Sequence, residues 1–151
     1  MNLYILPGGV AEIFTSTPGD HTIVFKERRG LARLSIETGA MLVPTYVFGA
    51  TDFFGNMVKS DNFLARLSRK LKAGICIFWG KFGLPVVPFT PKVTLVVGDP
   101  ISVPKWKAKD GERPPRDMVE KLHTQYLQDM HDLFNKYKAE AGYPDAILNV
   151  Q

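Results

Sequence analysis

Gly30 to Phe48 reads GLARLSIETGAMLVPTYVF, and this stretch decides the fold. Leu31, Leu34 and Thr38 recur at helical spacing, Ala32 and Ile36 broaden the stripe, and Gly39 supplies the stop. Met41 to Phe48 then reads as a buried strand. Its Pro44 points to an edge or a bulge, because proline lacks the amide that a ladder needs. Upstream, past the Pro18-Gly19 turn, His21 to Phe25 is rich in β formers. Strand, helix and strand in so short a length predict a right-handed crossover between parallel strands.

Working outward, Leu3 to Leu6 is a short strand candidate that runs into Pro7-Gly8-Gly9. Asp61 caps a predicted helix over Asn62 to Lys72, with Phe63, Leu64, Leu67 and Leu71 on one side and Arg66, Arg69, Lys70 and Lys72 around the rest. Ile75 to Trp79 and Val93 to Val97 are further strand candidates, separated by a proline-rich loop from Leu84 to Pro91. A polar stretch from Lys105 leads to Pro115, where a long helix starts. Val119, Leu122, Tyr126, Met130, Leu133 and Tyr137 repeat along it every three or four residues until Gly142. The expectation is one α/β domain over residues 1–151: a mixed, mostly parallel sheet flanked by helices, with a long C-terminal helix clasping it. No internal repeat interrupts that pattern.

Composition narrows the function classes. With 151 residues and 45% hydrophobic content, the chain has apolar surface enough for a core without disulfides. The single Cys76, between Ile75 and Ile77, excludes an internal disulfide and reads as a buried strand residue. A net charge of +4 and a pI near 9.2 permit attraction to phosphate groups or an anionic membrane surface without demanding it. Nucleic acid is not expected, since no reading motif or aromatic platform is present. The N-terminus lacks the basic flank, long apolar core and cleavage site of a secretory signal. The longest low-charge run, Gly74 to Pro91, holds Lys81 and three prolines, which argues against a membrane span.

Several chemical motifs fail on spacing. GICIFWGKF has five residues rather than four between Gly74 and Gly80, and Phe82 stands where a phosphate loop needs Ser or Thr for magnesium. No G-x-S-x-G elbow occurs. His21, His123 and His131 lack metal-ligand spacing, and none has a neighbouring carboxylate that would single it out as a catalytic base, so they read as surface or capping residues, and no metal site is expected. PGGVAE is the better candidate: small residues at a strand end let ligand atoms approach backbone amides, and Glu12 is placed to orient a neighbouring group or cap a helix. Lys26, Arg28, Arg29 and Arg33 crowd the start of the predicted helix at Gly30. Positive charge is unfavourable there, so the cluster suggests a clamp for a phosphate-bearing ligand, alongside a solvated surface.

Taken in order, YILPGGVAE, FKERRGLARLSIETGAMLVPTYVFG, VTLVVGDPISV and VEKLHTQYLQDMHDLFNKYK resemble the C-terminal half of type-two diacylglycerol acyltransferases. The similarity covers essentially the whole chain, and its tail, AGYPDAILNV, looks most like plant and algal members. That family also holds monoacylglycerol acyltransferases and wax synthases. The resemblance implies part of a glycerolipid-acyltransferase-like fold and transfer of an acyl group from acyl-coenzyme A to diacylglycerol. It further implies a membrane surface at the endoplasmic reticulum, acyl-coenzyme A as co-substrate and no separate cofactor. The family's Pro-Gly-Gly block maps onto Pro7, Gly8, Gly9 and Glu12, and its Arg-Lys-Gly-Phe block onto Arg28, Arg29, Gly30 and Leu31. With Arg33 these form the candidate substrate wall, while Val43 and Pro44 match the Val-Pro block.

Two departures qualify the implied activity. Ala50 follows YVFG where the family commonly carries Glu, and the 151 residues contain no His-Pro-His-Gly block, which supplies the family's catalytic histidine. The membrane hairpin expected upstream of that block is missing as well. No catalytic residue is assigned, and the chain is expected to behave as a truncated fragment with negligible turnover alone. The rival expectation is a non-catalytic module that holds a lipid surface or coenzyme A through Asn62 to Lys72 and the arginines near Gly30.

Overall fold

A computed structural model describes residues 3–6, 12, 17–56, 78–85, 87–107 and 112–151. In chain order its elements are β1 (Thr22–Ile23), α1 (Gly30–Thr38), β2 (Thr45–Phe48), a 3₁₀ turn (Ala50–Phe53), β3 (Gly55–Asn56), β4 (Phe78–Trp79), a second 3₁₀ turn (Lys81–Gly83), β5 (Thr94–Val97), α2 (Arg116–Ala141) and β6 (Asn149–Val150). The described residues combine two α-helices with small two-stranded sheets, in agreement with an α/β class.

Strand pairing differs from the expected crossover. β1 does not pair with β2; it pairs in parallel with β6, Thr22 opposite Asn149. β2 pairs antiparallel with β5, from Thr45 opposite Val97 to Phe48 opposite Thr94, and β3 pairs antiparallel with β4. Among the described residues, two of the three ladders are therefore antiparallel, which corrects the mostly parallel sheet. The physical reason is that periodicity specifies which residues extend, whereas partners are chosen by tertiary packing. The tail after α2 gives β1 its hydrogen bonds: Asn149 N–H donates to the His21 carbonyl and Gln151 N–H to that of Ile23. The Gln151 carbonyl then accepts from the amides of Phe25 and Lys26 at 2.8 and 2.9 Å.

Pro44 marks a bulge, as its residue type suggests. An isolated bridge joins Leu42 to Ile101, and the ladder resumes at Thr45 opposite Val97, so three steps on one strand face four on the other. The fully buried Pro44 lies inside this offset and accepts from the Gly98 amide at 2.8 Å.

α1 ends at Gly39, whose φ of 69° is the left-handed conformation that a C-terminal stop favours. Its buried face is Ala32, Ser35 and Ile36, a shift from the predicted stripe, because small Ala32 and Ser35 fit where α1 packs on α2. α2 buries Val119, Leu122, Tyr126, Met130, Leu133 and Phe134 against β2, β5 and α1. The core centres on rings: Phe48 stacks on Phe134 with centroids 5.2 Å apart, and Tyr46 meets Phe134 edge-on at 5.1 Å.

Leu3 to Leu6 form no strand; all four are exposed, with no ladder partner among the described residues. Of Ile75 to Trp79, Phe78 and Trp79 are in β4. Pro7, Gly8, Gly9, the predicted helix Asn62 to Lys72 and Cys76 lie outside the described residues.

Candidate functional site

The turn between β1 and α1 builds a shallow groove of about 250 Å³, lined by Ile5, Phe25, Arg28, Gly30, Leu31 and Leu34. Its construction begins in the backbone. Arg28 N–H donates to the Phe25 carbonyl at 2.9 Å, folding residues 25–28 into a turn that presents Arg28 beside the first turn of α1. Phe25 is buried, backed by the rings of His123 and Tyr126 at 5.2 and 5.3 Å. Glu12 anchors the adjacent strand end: its carboxylate Oε1 accepts from the Val24 amide at 3.0 Å, one residue before Phe25. Leu31, which also packs against the edge of the core, and Leu34 supply apolar walls. Apolar walls with one guanidinium suit a hydrocarbon chain joined to an anionic group.

The nominated cations separate. Arg28 and Gly30 meet at the groove. Arg29 turns away and bridges α1 to α2, its Nε 2.5 Å from Glu120 and its Nη1 2.9 Å from Glu27. Hydrogen bonding to Glu120 and then Glu27 pushes the Arg29 pKa upward, and the bond from Arg29 lowers that of the Glu120 carboxyl. Positive charge at the helix start is thus offset by two carboxylates. Arg33 pairs along its own helix with Glu37 at 3.5 Å.

Two of the three histidines are core residues rather than surface ones. His21 is only 5% exposed, and its Nδ1 lies 2.9 Å from the Tyr46 hydroxyl. Its ring stands edge-on to Tyr143 with centroids 4.9 Å apart. Burial lowers its pKa, against the opposing pull of Asp52 and Asp20. His21 Nε2 is buried without a hydrogen-bond partner, so this neutral imidazole has no described route to a substrate proton. His123 Nε2–H donates to the Lys26 carbonyl at 2.9 Å and ties α2 to the groove turn.

Beside His21, Asp52 accepts from the Gly19 amide at 2.7 Å, the Tyr143 hydroxyl at 2.5 Å and the Thr51 hydroxyl at 3.2 Å. Burial alone would raise the Asp52 pKa, but these bonds, Tyr143 foremost, carry it below the ordinary value. Their counterpart is the Tyr143 pKa, pushed up to about 12 by the same bond. Sequence gave no signal for this cluster, since Asp52 and Tyr143 lie far apart along the chain.

Among the described residues, no three His, Cys, Asp or Glu groups converge as for a metal, and no helix is long and apolar enough to cross a membrane. Comparison with known proteins extends the picture. A family model described as "Diacylglycerol acyltransferase" matches residues 2–151. Diacylglycerol O-acyltransferase 2 of Xenopus laevis is similar at 33% identity over 152 residues, covering 94% of this chain and 41% of that protein. The human diacylglycerol O-acyltransferase 2-like protein 6 is 32% identical, covering 93% and 44%. The acyl-CoA wax alcohol acyltransferase 2 of Mus musculus is 33% identical, covering 93% and 43%. The chain spans about two fifths of the length of these relatives. No solved structure matches it.

Proposed function

The chain belongs to the diacylglycerol acyltransferase family, and on that premise we propose that it is part of an acyl-coenzyme A-dependent O-acyltransferase of glycerolipid synthesis. The observation that carries this reading is the family match across residues 2–151. The acceptor is diacylglycerol or a related lipid alcohol, the donor acyl-coenzyme A, and no further cofactor takes part. The setting is a lipid surface of the endoplasmic reticulum, and the architecture is one domain forming part of a glycerolipid-acyltransferase-like fold.

In such a reaction the acceptor oxygen bonds to the thioester carbonyl carbon, the carbon–sulfur bond breaks, and the hydroxyl proton leaves with the coenzyme A thiol. A base and oxyanion donors are required. Neither is assigned to a described residue; His21 is enclosed, and its bonded neighbour is Tyr46. What these residues contribute is donor binding. The apolar groove takes the start of the acyl chain, Arg28 meets a phosphate of coenzyme A, and Glu12 holds the strand end against which Phe25 is set. Pro7, Gly8, Gly9, Arg29 and Arg33 stay in the proposed substrate wall on the family resemblance of their sequence blocks alone.

Calorimetric titration of the purified chain with palmitoyl-coenzyme A tests the reading. Binding is expected, with Arg28→Ala weakening both palmitoyl-coenzyme A and free coenzyme A about tenfold. Leu34→Ser, at a groove-wall residue that is 43% exposed, is expected to weaken the acylated ligand alone. Equal binding by both variants and the unaltered chain overturns the donor-site assignment. Triacylglycerol formation by the isolated chain from diacylglycerol, above a no-protein control, overturns the expectation of negligible turnover.

A further inference from the structure

The turn after β4 carries the most exposed large apolar side chain among the described residues: Phe82, 91% exposed. Trp79, Leu84 and Phe82 stand exposed within six residues, WGKFGL, with Lys81 between the aromatics. An aromatic, a lysine and a further aromatic in one short turn match the composition found where protein meets the lipid headgroup layer.

The backbone fixes this display. Phe82 has φ 61°, a left-handed conformation that bulky residues rarely adopt. Hydrogen bonds hold it there: Gly80 N–H donates to the Leu84 carbonyl at 2.9 Å, Lys81 N–H to Val87 at 2.8 Å, and Leu84 N–H to Lys81 at 3.2 Å. A Cβ on Gly80 would lie 1.8 Å from the Val87 carbonyl oxygen, so the two backbone segments are pressed together beneath the turn. The strained residue buries almost nothing in the fold, so core packing does not account for its type or its pose.

We propose that the turn Trp79 to Leu84 is the wedge by which this chain seats in a lipid bilayer surface, Phe82 entering the headgroup–acyl boundary. The proposal rests on the lipid-surface setting proposed above and names the surface that makes the contact. A convex turn of six residues suits an interfacial wedge better than a stable protein interface, which needs about 1,000 Å². Charge agrees: the sequence 57–77, leading into β4, carries Lys59, Arg66, Arg69, Lys70 and Lys72 against Asp61 alone.

Cosedimentation of the full chain with vesicles of equimolar phosphatidylcholine and phosphatidylserine tests it. The unaltered chain is expected to bind, and Phe82→Asp to lower partitioning about tenfold or more. Phe82→Gly, which relieves the backbone while removing the ring, is expected to lose binding with an unchanged or higher melting temperature, separating lost contact from lost folding. Ile147→Asp, at another exposed apolar position, is expected to bind like the unaltered chain. In a Trp106→Phe background, vesicles with brominated acyl chains are expected to quench Trp79 fluorescence. Unchanged binding by both Phe82 variants, or an equal loss from Ile147→Asp, overturns the wedge while leaving the lipid-surface setting standing. No binding by the unaltered chain overturns both, and palmitoyl-coenzyme A titration still judges the donor site separately. Self-association abolished by Phe82→Asp with vesicle binding intact overturns the wedge in favour of a second copy.

Discussion

His21 and Asp52 show how single groups in this core respond to proton concentration. Burial lowers the folded pKa of His21, so the unfolded chain binds that proton more readily. Its contribution to stability is present above the ordinary histidine value of about 6.5 and is lost as pH falls through the folded value. Asp52 is also depressed when folded, so its contribution is present above about pH 4 and is lost as pH falls lower. Stability measured by urea unfolding is therefore expected to decline in two stages on acidification. His21→Phe should flatten the upper stage, and Asp52→Asn should cost about 1–2 kcal/mol at neutral pH while flattening the lower one. The site residues were partly legible at this scale. Arg28 and Gly30 stood out from their sequence block and do line one groove. Arg29 looked equivalent to Arg28, and pairing with Glu27 beside it and with Glu120 from a distant helix gives it a different task.

Elements were read well where their pattern was long and local. α1 and α2 begin and end near their predicted glycines and proline, because capping chemistry acts within a few residues. Pairing was not legible, since β1 finds its partner beyond α2 and β2 finds its own in β5. Deleting residues 148–151 is expected to cost about 3–5 kcal/mol, since it removes buried Leu148, the β6 ladder and the acceptor for the Phe25 and Lys26 amides. Palmitoyl-coenzyme A affinity should fall with it, because Phe25 floors the groove; a deletion variant with unchanged urea midpoint would refute the clasp. On β5, alternation buries Val96 and leaves Leu95 and Val97 59% and 58% exposed. Replacing both with Thr makes this face β-branched at both positions and is expected to raise solubility with a stability change within about 0.5 kcal/mol, read from a light-scattering and urea series.

For the molecule as a whole, the composition foretold a core but not where its polar groups would enter it. His21 and His123 looked like surface or capping residues, yet both are buried, His21 among rings from separated segments and His123 against Phe25. Leu31 and Leu34 share one predicted stripe, yet Leu31 packs against the core while Leu34 is 43% exposed, because apolar periodicity cannot distinguish packing from a groove wall. The family resemblance fared better, since it draws on ordered blocks along the whole chain, and a family model matches residues 2–151. The β1–β6 ladder adds a constraint of timing. Thr22 and Asn149 are separated by nearly the whole chain, and at roughly 5–20 residues per second a ribosome delivers the partner only many seconds later. Until then the His21 and Ile23 carbonyls lack their amide donors and the Phe25 and Lys26 amides lack their acceptor, so the β1–β6 ladder forms only after translation of the tail.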